Sequence, residues 1–326
     1  MKVLFLYRAK NEAGDNRVVV TQGKSLESAG VEVDYFPLTG RGPGAYLRAI
    51  AAIRKRLKTS GADLIHAHYG ISGIAGLLAS GGKPLIVSFM GTDLLGSHRS
   101  DGRTETVSRL LAYISRCLAR RYYSLSIVKS SEMQGRLLRN TRHALIPNGV
   151  DLEAFAPLDR AVARQRLNID QNEFLVLFPA GRNNPEKNYQ LASEAADMLR
   201  DRGFRMMDFN SASREEMNLL INAADLLLVT SFHEGSPNIV KEAMACCCPV
   251  VATAVGDIPW LFGDTPGHYL TGFDAREIAA RIEEAARFRR ESGFTEGRNR
   301  IVLLGLDSER VARIIMDHYS RLTAES

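Results

Sequence analysis

Residues 231–257 read SFHEGSPNIVKEAMACCCPVVATAVGD, and within them Glu234 and Glu242 frame a turn and a helix start. Ser236 is a favourable N-cap and Pro237 suits a first helical position, so the pattern predicts a helix over 237–247. The backbone N–H groups of Asn238, Ile239 and Val240 then emerge at a helix N-terminus, where aligned peptide dipoles favour a phosphate. Glu234 falls just before that helix. Glu242 falls one turn inside it, on the face of Asn238, where its carboxylate accepts hydrogen bonds from hydroxyls beside the anion. Two carboxylates flanking an anion site suit a ligand that is part phosphate and part polyol. The plainer reading is a pair of acids drawn to a helix entrance by its dipole.

Outward from this stretch, short apolar runs alternate with amphipathic patterns. KVLFLY, DLIHAHY, PLIVSFM, SLSIV and HALIP form one set of strands, with helical patterns around 16–29, 43–59, 71–80 and 104–121. FLVLFPA, FRMMDF, DLLLVTS and PVVATAV form a second set, with helices near 187–202, 213–223 and 237–247. Apolar strands separated by helices imply parallel sheets covered on both faces, hence two doubly wound α/β units. Asn148 and Gly149 mark the expected boundary, giving domains at 1–148 and 149–306. A chain of 326 residues fits two such domains. Ligands of such sheets bind beyond the carboxyl ends of the strands, which predicts a cleft between the units.

Composition excludes several classes. Hydrophobic residues make up 45% and charged residues 24%, which is no disorder signature. The N-terminal apolar run is too short for a secretory h-region and no stretch approaches a membrane span, so a cytoplasmic, non-spanning protein is expected. Cys117 and the consecutive Cys246, Cys247 and Cys248 lack the spacing of a metal or redox site and read as small buried residues. His66 and His68 share one face of a strand, but without a third ligand nearby they read as packing or strand-end residues and no metal site is expected.

The stretch around Glu234 and Glu242 resembles the E-x7-E signature of retaining, nucleotide-sugar-dependent glycosyltransferases of family four, which have the GT-B fold. DLIHAHYG (63–70), PLIVSFMGTDLLG (84–96), IPNGVD (146–151) and GRNNPEKN (181–188) match the same family in its order. The resemblance implies two Rossmann-like domains, an acceptor-side one first and a donor-binding one second, with a final helix near 307–323 crossing back onto the first. It implies that Arg182 and Lys187, which follow Gly181 at a strand end, hold the donor diphosphate and stabilise it as it leaves; otherwise they are solvated surface cations. Glu242 is then placed on the nucleotide ribose, and Glu234 on the transferred sugar or the reaction centre. Gly235, Ser236, Pro237, Asn238, Ile239 and Val240 complete the donor site, and Gly14, in the loop RAKNEAGDN, lets backbone approach the donor phosphate. The implied co-substrate is a UDP-sugar or another nucleoside diphosphate sugar, with no metal and no further cofactor. Reaction on one face of the donor sugar needs no Ser or Thr nucleophile.

One position departs from the family. Where many relatives read FHG, this chain reads Phe89, Met90, Gly91, and a thioether donates no hydrogen bond. Either Thr92 and Asp93 take over sugar or acceptor contacts, or the site is less active; Asp93 equally reads as a cap for the following turn.

Charge divides unevenly along the chain. Residues 1–148 carry 22 Lys and Arg against 10 Asp and Glu, and the remainder 20 against 27. On the helix 104–121, Val107, Leu110, Leu111, Ile114 and Leu118 are the expected buried stripe. Arg109, Tyr113, Arg116 and Arg120 are the expected outer face. Such a basic face attracts anionic lipid, whereas no nucleic-acid-binding motif is present. The reading is a retaining glycosyltransferase acting on a lipid-linked or glycan acceptor in bacterial surface polysaccharide or glycolipid synthesis, peripheral to the inner face of the cytoplasmic membrane. The alternatives are a nucleotide-sugar epimerase of similar fold and a non-catalytic nucleotide-sugar-binding partner of another transferase.

Overall fold

The computed structural model describes residues 1–9, 16–40, 43–96, 106–209 and 212–325. Two compact units result: among the described residues, one gathers everything up to Gly149 together with Ser308 onward, and the other is Val150–Asp307.

The first unit is built from β1 (Lys2–Arg8), α1 (Arg17–Ser28), β2 (Glu32–Leu38), α2 (Pro43–Ser60), β3 (Leu64–His68), α3 (Gly70–Ala79), β4 (Leu85–Ser88), α4 (Thr92–Leu95), α5 (Thr106–Arg121), β5 (Leu125–Val128), α6 (Ser131–Arg136) and β6 (His143–Leu145). The second contains α7 (Arg160–Leu167), β7 (Phe174–Phe178), α8 (Tyr189–Asp197), β8 (Phe204–Asp208), α9 (Arg214–Ala223), β9 (Leu226–Val229), α10 (Asn238–Ala245), β10 (Val250–Thr253), α11 (Ile258–Phe262), β11 (His268–Thr271), α12 (Ala275–Ser292) and α13 (Gly297–Leu303). The last helix, α14 (Ser308–Ala324), packs on α1 in the first unit.

Strand order is β2-β1-β3-β4-β5-β6 in the first sheet and β11-β10-β9-β7-β8 in the second, every pairing parallel. This is the doubly wound pair that the strand–helix alternation predicts. Central strands such as Leu226–Val229 and Val250–Thr253 are buried along their whole length, because helices cover both faces of a parallel sheet. Two strands are not foreseen in the sequence, β2 and β11. Both are edge strands with partly exposed residues, and β2 carries Pro37, which a central strand excludes.

Each sheet has a core on either face. In the first unit Val311, Ile315, Tyr319 and Leu322 of α14 close one of them against Phe5, Leu26 and Ile127. His66 and His68 lie within that unit's interior, stacked 4.3 Å apart. His66 is fixed by Tyr319 Oη on Nδ1 at 2.5 Å and by Ser88 Oγ on Nε2 at 2.8 Å. Burial pushes the His66 imidazole well below its usual range, so it packs as a neutral residue. Cys246 and Cys248 are buried as expected, and Cys247 adopts the left-handed conformation (φ 56°) just past α10, a position usually given to glycine.

The helix α5 corrects the sequence reading. Its buried residues are Ala112, Ser115 and Ala119. Val107, Leu110, Leu111 and Ile114, expected inside, are exposed, as is Tyr113. The seat of the helix explains the rotation. Gly70 opens α3 so close to α5 that a Cβ there would stand 2.7 Å from Ser115 Oγ, and only small residues fit against such a surface.

Candidate active site

In the second sheet the chain runs from β7 outward to β8, then returns to place β9 on the other side of β7. The carboxyl ends of β7 and β9 are therefore a topological switch point, the place where ligands of such sheets bind. Residues 179–188 follow β7 and residues 230–237 follow β9. Lys187 comes from the first loop and Glu234 from the second. They meet, Lys187 Nζ donating to Glu234 Oε1 at 2.5 Å, and the same oxygen accepts from Ser231 Oγ at 2.7 Å. Both side chains keep a partial opening to solvent, 30% for Lys187 and 13% for Glu234.

The two loops are laced together beneath this pair. Thr230 Oγ1 donates towards the carbonyls of Lys187 and Asn188, and Phe232 N–H donates to the carbonyl of Glu186. Thr253 Oγ1, from the end of β10, holds the carbonyl of Ser231. Asn188 takes a left-handed conformation (φ 51°) that turns the chain into α8. Arg182 is directed away from this pair. Its guanidinium forks onto Asp208 at the end of β8 at 2.9 and 3.1 Å, lies 5.2 Å from the centroid of the Tyr189 ring, and remains largely exposed. Hydrogen bonding to that guanidinium holds the Asp208 carboxyl below its usual range.

The helix after Glu234 starts later than expected. Pro237 is the N-cap and not the first helical residue, and Asn238 is the first. Ser236 is no cap, because its hydroxyl accepts from the fully buried Lys241 ammonium at 2.8 Å. No side chain caps the N-terminus of α10. Glu242 sits half-buried on the helix, and among the described residues no side chain hydrogen-bonds its carboxylate. Burial pushes it up to about 7, with Lys241 and Arg214 pulling it back.

Three residues that the sequence reading did not single out support the turn. Burial drives the Lys241 ammonium down to about 8, against the acids Asp257 and Glu242. Burial likewise lifts the Asp257 carboxyl to about 6, with Lys241 opposing it. Gly256, at φ +60°, presses on the E-x7-E turn so closely that a Cβ would stand 2.4 Å from the Glu234 carbonyl oxygen. The only linear signal for this support is the GD pair after PVVATAV. A lysine inside an amphipathic helix reads as solvated until its neighbours are known.

In the first unit, Asp93 is used by the backbone. Its carboxylate accepts from the N–H groups of Gly70, Met90 and Gly91 at 2.9 Å each, so it ties the end of β4 to the start of α3 and does not cap the turn that follows it. Burial raises it to about 6 against those three bonds. Thr92 Oγ1 is shared with Tyr69 Oη at 2.9 Å. Tyr69 itself holds φ 80° and ψ 140°, a conformation that side chains rarely adopt outside functional loops. Gly14 lies outside the described residues. Among the described residues no three His, Cys, Asp or Glu side chains converge as metal ligands, and no helix is long and apolar enough to cross a membrane.

A family model described as Glycosyltransferase Family 4 matches residues 3–154, and one described as Glycosyl transferases group 1 matches 153–287. The chain is 28% identical to a D-inositol 3-phosphate glycosyltransferase of Arthrobacter sp. (strain FB24) over 72% of its length and 64% of the relative's. It therefore spans less than two thirds of that curated relative. Among solved structures, a sucrose-phosphate synthase from Thermosynechococcus elongatus superposes with a TM-score of 0.81 at 19% identity, covering both chains fully. Anabaena Alr3699/HepE in complex with UDP-glucose superposes at 0.71 and 19% identity, over 98% of this chain and 100% of that one. These likenesses show the two-unit GT-B architecture.

Proposed function

Because this chain belongs to the family-four, group 1 glycosyltransferases, we propose that it transfers a sugar, with retention of configuration, from a nucleoside diphosphate donor to a glycan or lipid-linked acceptor. The observation that carries the reading is the Lys187–Glu234 pair at the β7/β9 switch point, beside a helix N-terminus without a side-chain cap and the half-buried carboxylate of Glu242. A diphosphate arriving there competes with Glu234 for the Lys187 ammonium. Lys187 and the α10 N-terminus take the phosphate charge, Arg182 is within the same loop to join them, and Glu242 accepts from ribose hydroxyls. Glu234, released from Lys187, accepts a hydroxyl of the sugar.

In the transfer itself the bond from the anomeric carbon to the diphosphate oxygen breaks and the acceptor hydroxyl oxygen bonds to that carbon on the same face. The electron pair of the broken bond stays on the diphosphate, whose charge the cations stabilise, and the acceptor proton goes to a phosphate oxygen. No protein nucleophile, metal or cofactor enters. A UDP-sugar is the favoured donor, since UDP-glucose occupies the HepE complex. The acceptor is lipid-linked or a glycan, membrane association being in keeping with the basic first half of the chain, and the reaction belongs to surface polysaccharide or glycolipid assembly at the cytoplasmic face of the membrane.

A thermal-shift screen of nucleotide sugars and nucleoside diphosphates tests the donor, because a ligand specific to the folded state raises Tm. UDP and one UDP-sugar should stabilise the parent and not Lys187→Ala. Stabilisation by none of them overturns the reading, and binding without turnover on lipid and glycan acceptors leaves the non-catalytic alternative.

A further inference from the structure

The surface of α5 is unlike that of the other amphipathic helices. A helix that seats itself with alanine and serine turns its large apolar residues outward, and here Val107 is 70%, Leu110 59%, Leu111 44% and Tyr113 54% exposed. Ile114 continues the same sector at i+4 from Leu110. Leaving these side chains in water forfeits what the burial of large aliphatic groups returns. An exposed contiguous apolar sector of this kind marks an interaction face.

Its border says what it meets. The helix TVSRLLAYISRCLARR contains no acid. Arg109, Arg116 and Arg120 lie together on the other exposed flank, beyond Tyr113, Arg121 follows Ile114 by two turns on the apolar flank, and among the described residues none is paired with a carboxylate. Arg116 lies over the Tyr113 ring at 5.7 Å and Arg121 over the exposed Tyr122 ring at 5.8 Å. Apolar aliphatics with arginine and tyrosine beside them, and no acid on the helix itself, match the layering of an anionic bilayer: hydrocarbon, then the wet interface where tyrosine rings settle, then lipid phosphates. A soluble protein partner would have to bring both an apolar groove and four uncompensated acids.

We propose that α5 is an interfacial helix that buries Val107, Leu110, Leu111 and Ile114 at the acyl boundary of an anionic membrane while its arginines hold the headgroup phosphates. This deepens the membrane-borne acceptor of the proposed function and rests on that reading only for its purpose. Binding itself is independent of transfer. It also differs from adsorption by the arginines alone, since an inserted helix keeps part of its affinity at high salt, whereas electrostatic attraction fades beyond a Debye length of about 10 Å at 0.1 M.

The experiment uses the full chain with vesicles of phosphatidylglycerol and phosphatidylcholine, and of phosphatidylcholine alone. Parent protein should co-sediment with the anionic vesicles, and V107S/L110S/I114S should lose about tenfold or more in partitioning although its charge is unchanged. R109Q/R116Q/R120Q should lose the salt-sensitive part. In a Trp260→Phe background, Leu110→Trp should shift its emission to the blue on anionic vesicles and be quenched by brominated acyl chains; this single exposed replacement serves where the triple variant melts early. Parent-like sedimentation of the serine variant, or an unshifted Leu110→Trp emission, overturns the proposal. So does an oligomer in gel filtration that the serine variant dissociates, which would make the face a contact between copies. If vesicles bind as expected while no donor is turned over, the surface stands and the transferase reading falls.

Discussion

Lys187 and Glu234, 47 positions apart, are joined at 2.5 Å where the loops after β7 and β9 meet, so the ammonium and the carboxylate neutralise each other. Under the proposed function, donor binding is an exchange of partners: a diphosphate that takes the ammonium would free the carboxylate for hydroxyls and so link recognition of the two halves of the donor.

The exchange makes Glu234→Gln informative. Removing the carboxylate's charge releases Lys187, so free nucleoside diphosphate should bind as well as to the parent or a few-fold tighter, while kcat for transfer falls by about 100-fold or more. Calorimetry with the nucleoside diphosphate and initial rates with the intact donor check both halves. A parallel loss in the two would place Glu234 on the nucleotide.

Lys187→Ala removes one charged contact to the diphosphate and should weaken it by about 1.5–3 kcal/mol. The fold should survive, because Thr230 and Phe232 hold the loop through backbone carbonyls and not through the lysine side chain. Unchanged affinity by calorimetry would remove Lys187 from the donor site.

Arg182 should not tolerate lysine. Its fork onto Asp208 and its position over Tyr189 both use a planar guanidinium, which an ammonium cannot reproduce. Arg182→Lys and Arg182→Ala should raise the donor KM alike, by about tenfold; rescue by lysine in donor titrations would show that a point charge suffices.

Glu242 carries a pH signature. Its carboxyl is raised to about 7 by burial, above its unfolded value, so the unfolded state gives up the proton first and folded stability is lost as pH rises from about 4.5 through 7. Glu242→Gln cannot ionise. Its melting temperature should therefore gain on the parent as pH rises from about 4 to 8, by the equivalent of about 1–2 kcal/mol for a half-buried group, and the gain should be absent at about pH 4. A pH-independent difference in differential scanning calorimetry would refute this.

Gly256→Ala tests the support of the turn. An alanine Cβ meets the Glu234 carbonyl oxygen and the left-handed φ strains it further, so stability should drop by about 1–3 kcal/mol and transfer should fall with it. Denaturant melts with parent-like stability would mean that the two loops yield to one another freely.

Much of this was legible in one dimension. The runs KVLFLY and DLLLVTS are apolar on both faces, and only a parallel sheet covered on both sides uses such strands, so the doubly wound pair follows from their alternation with helices. The placement of Glu234 just before a helix and of Glu242 one turn inside it was legible locally, since residues on one short loop and the helix it opens keep their order wherever that helix lies, whereas the roles assigned to them came from the family resemblance. Edge strands were not legible. EVDYFPL in β2 has a mixed pattern because one side of an edge strand faces solvent.

What only the tertiary structure decided concerns partners brought from far along the chain. Periodicity shows that α5 has an apolar side, yet which side turns inward depends on the surface it meets. The missing Cβ of Gly70 admits Ser115, leaving Leu110 and Ile114 outside. Likewise Ser236 has the chemistry of a cap, but the buried ammonium of Lys241 claims its oxygen and the helix starts at Asn238. Local propensities are worth about 1 kcal/mol, whereas a buried charge left unsatisfied costs several, so the long-range partner wins.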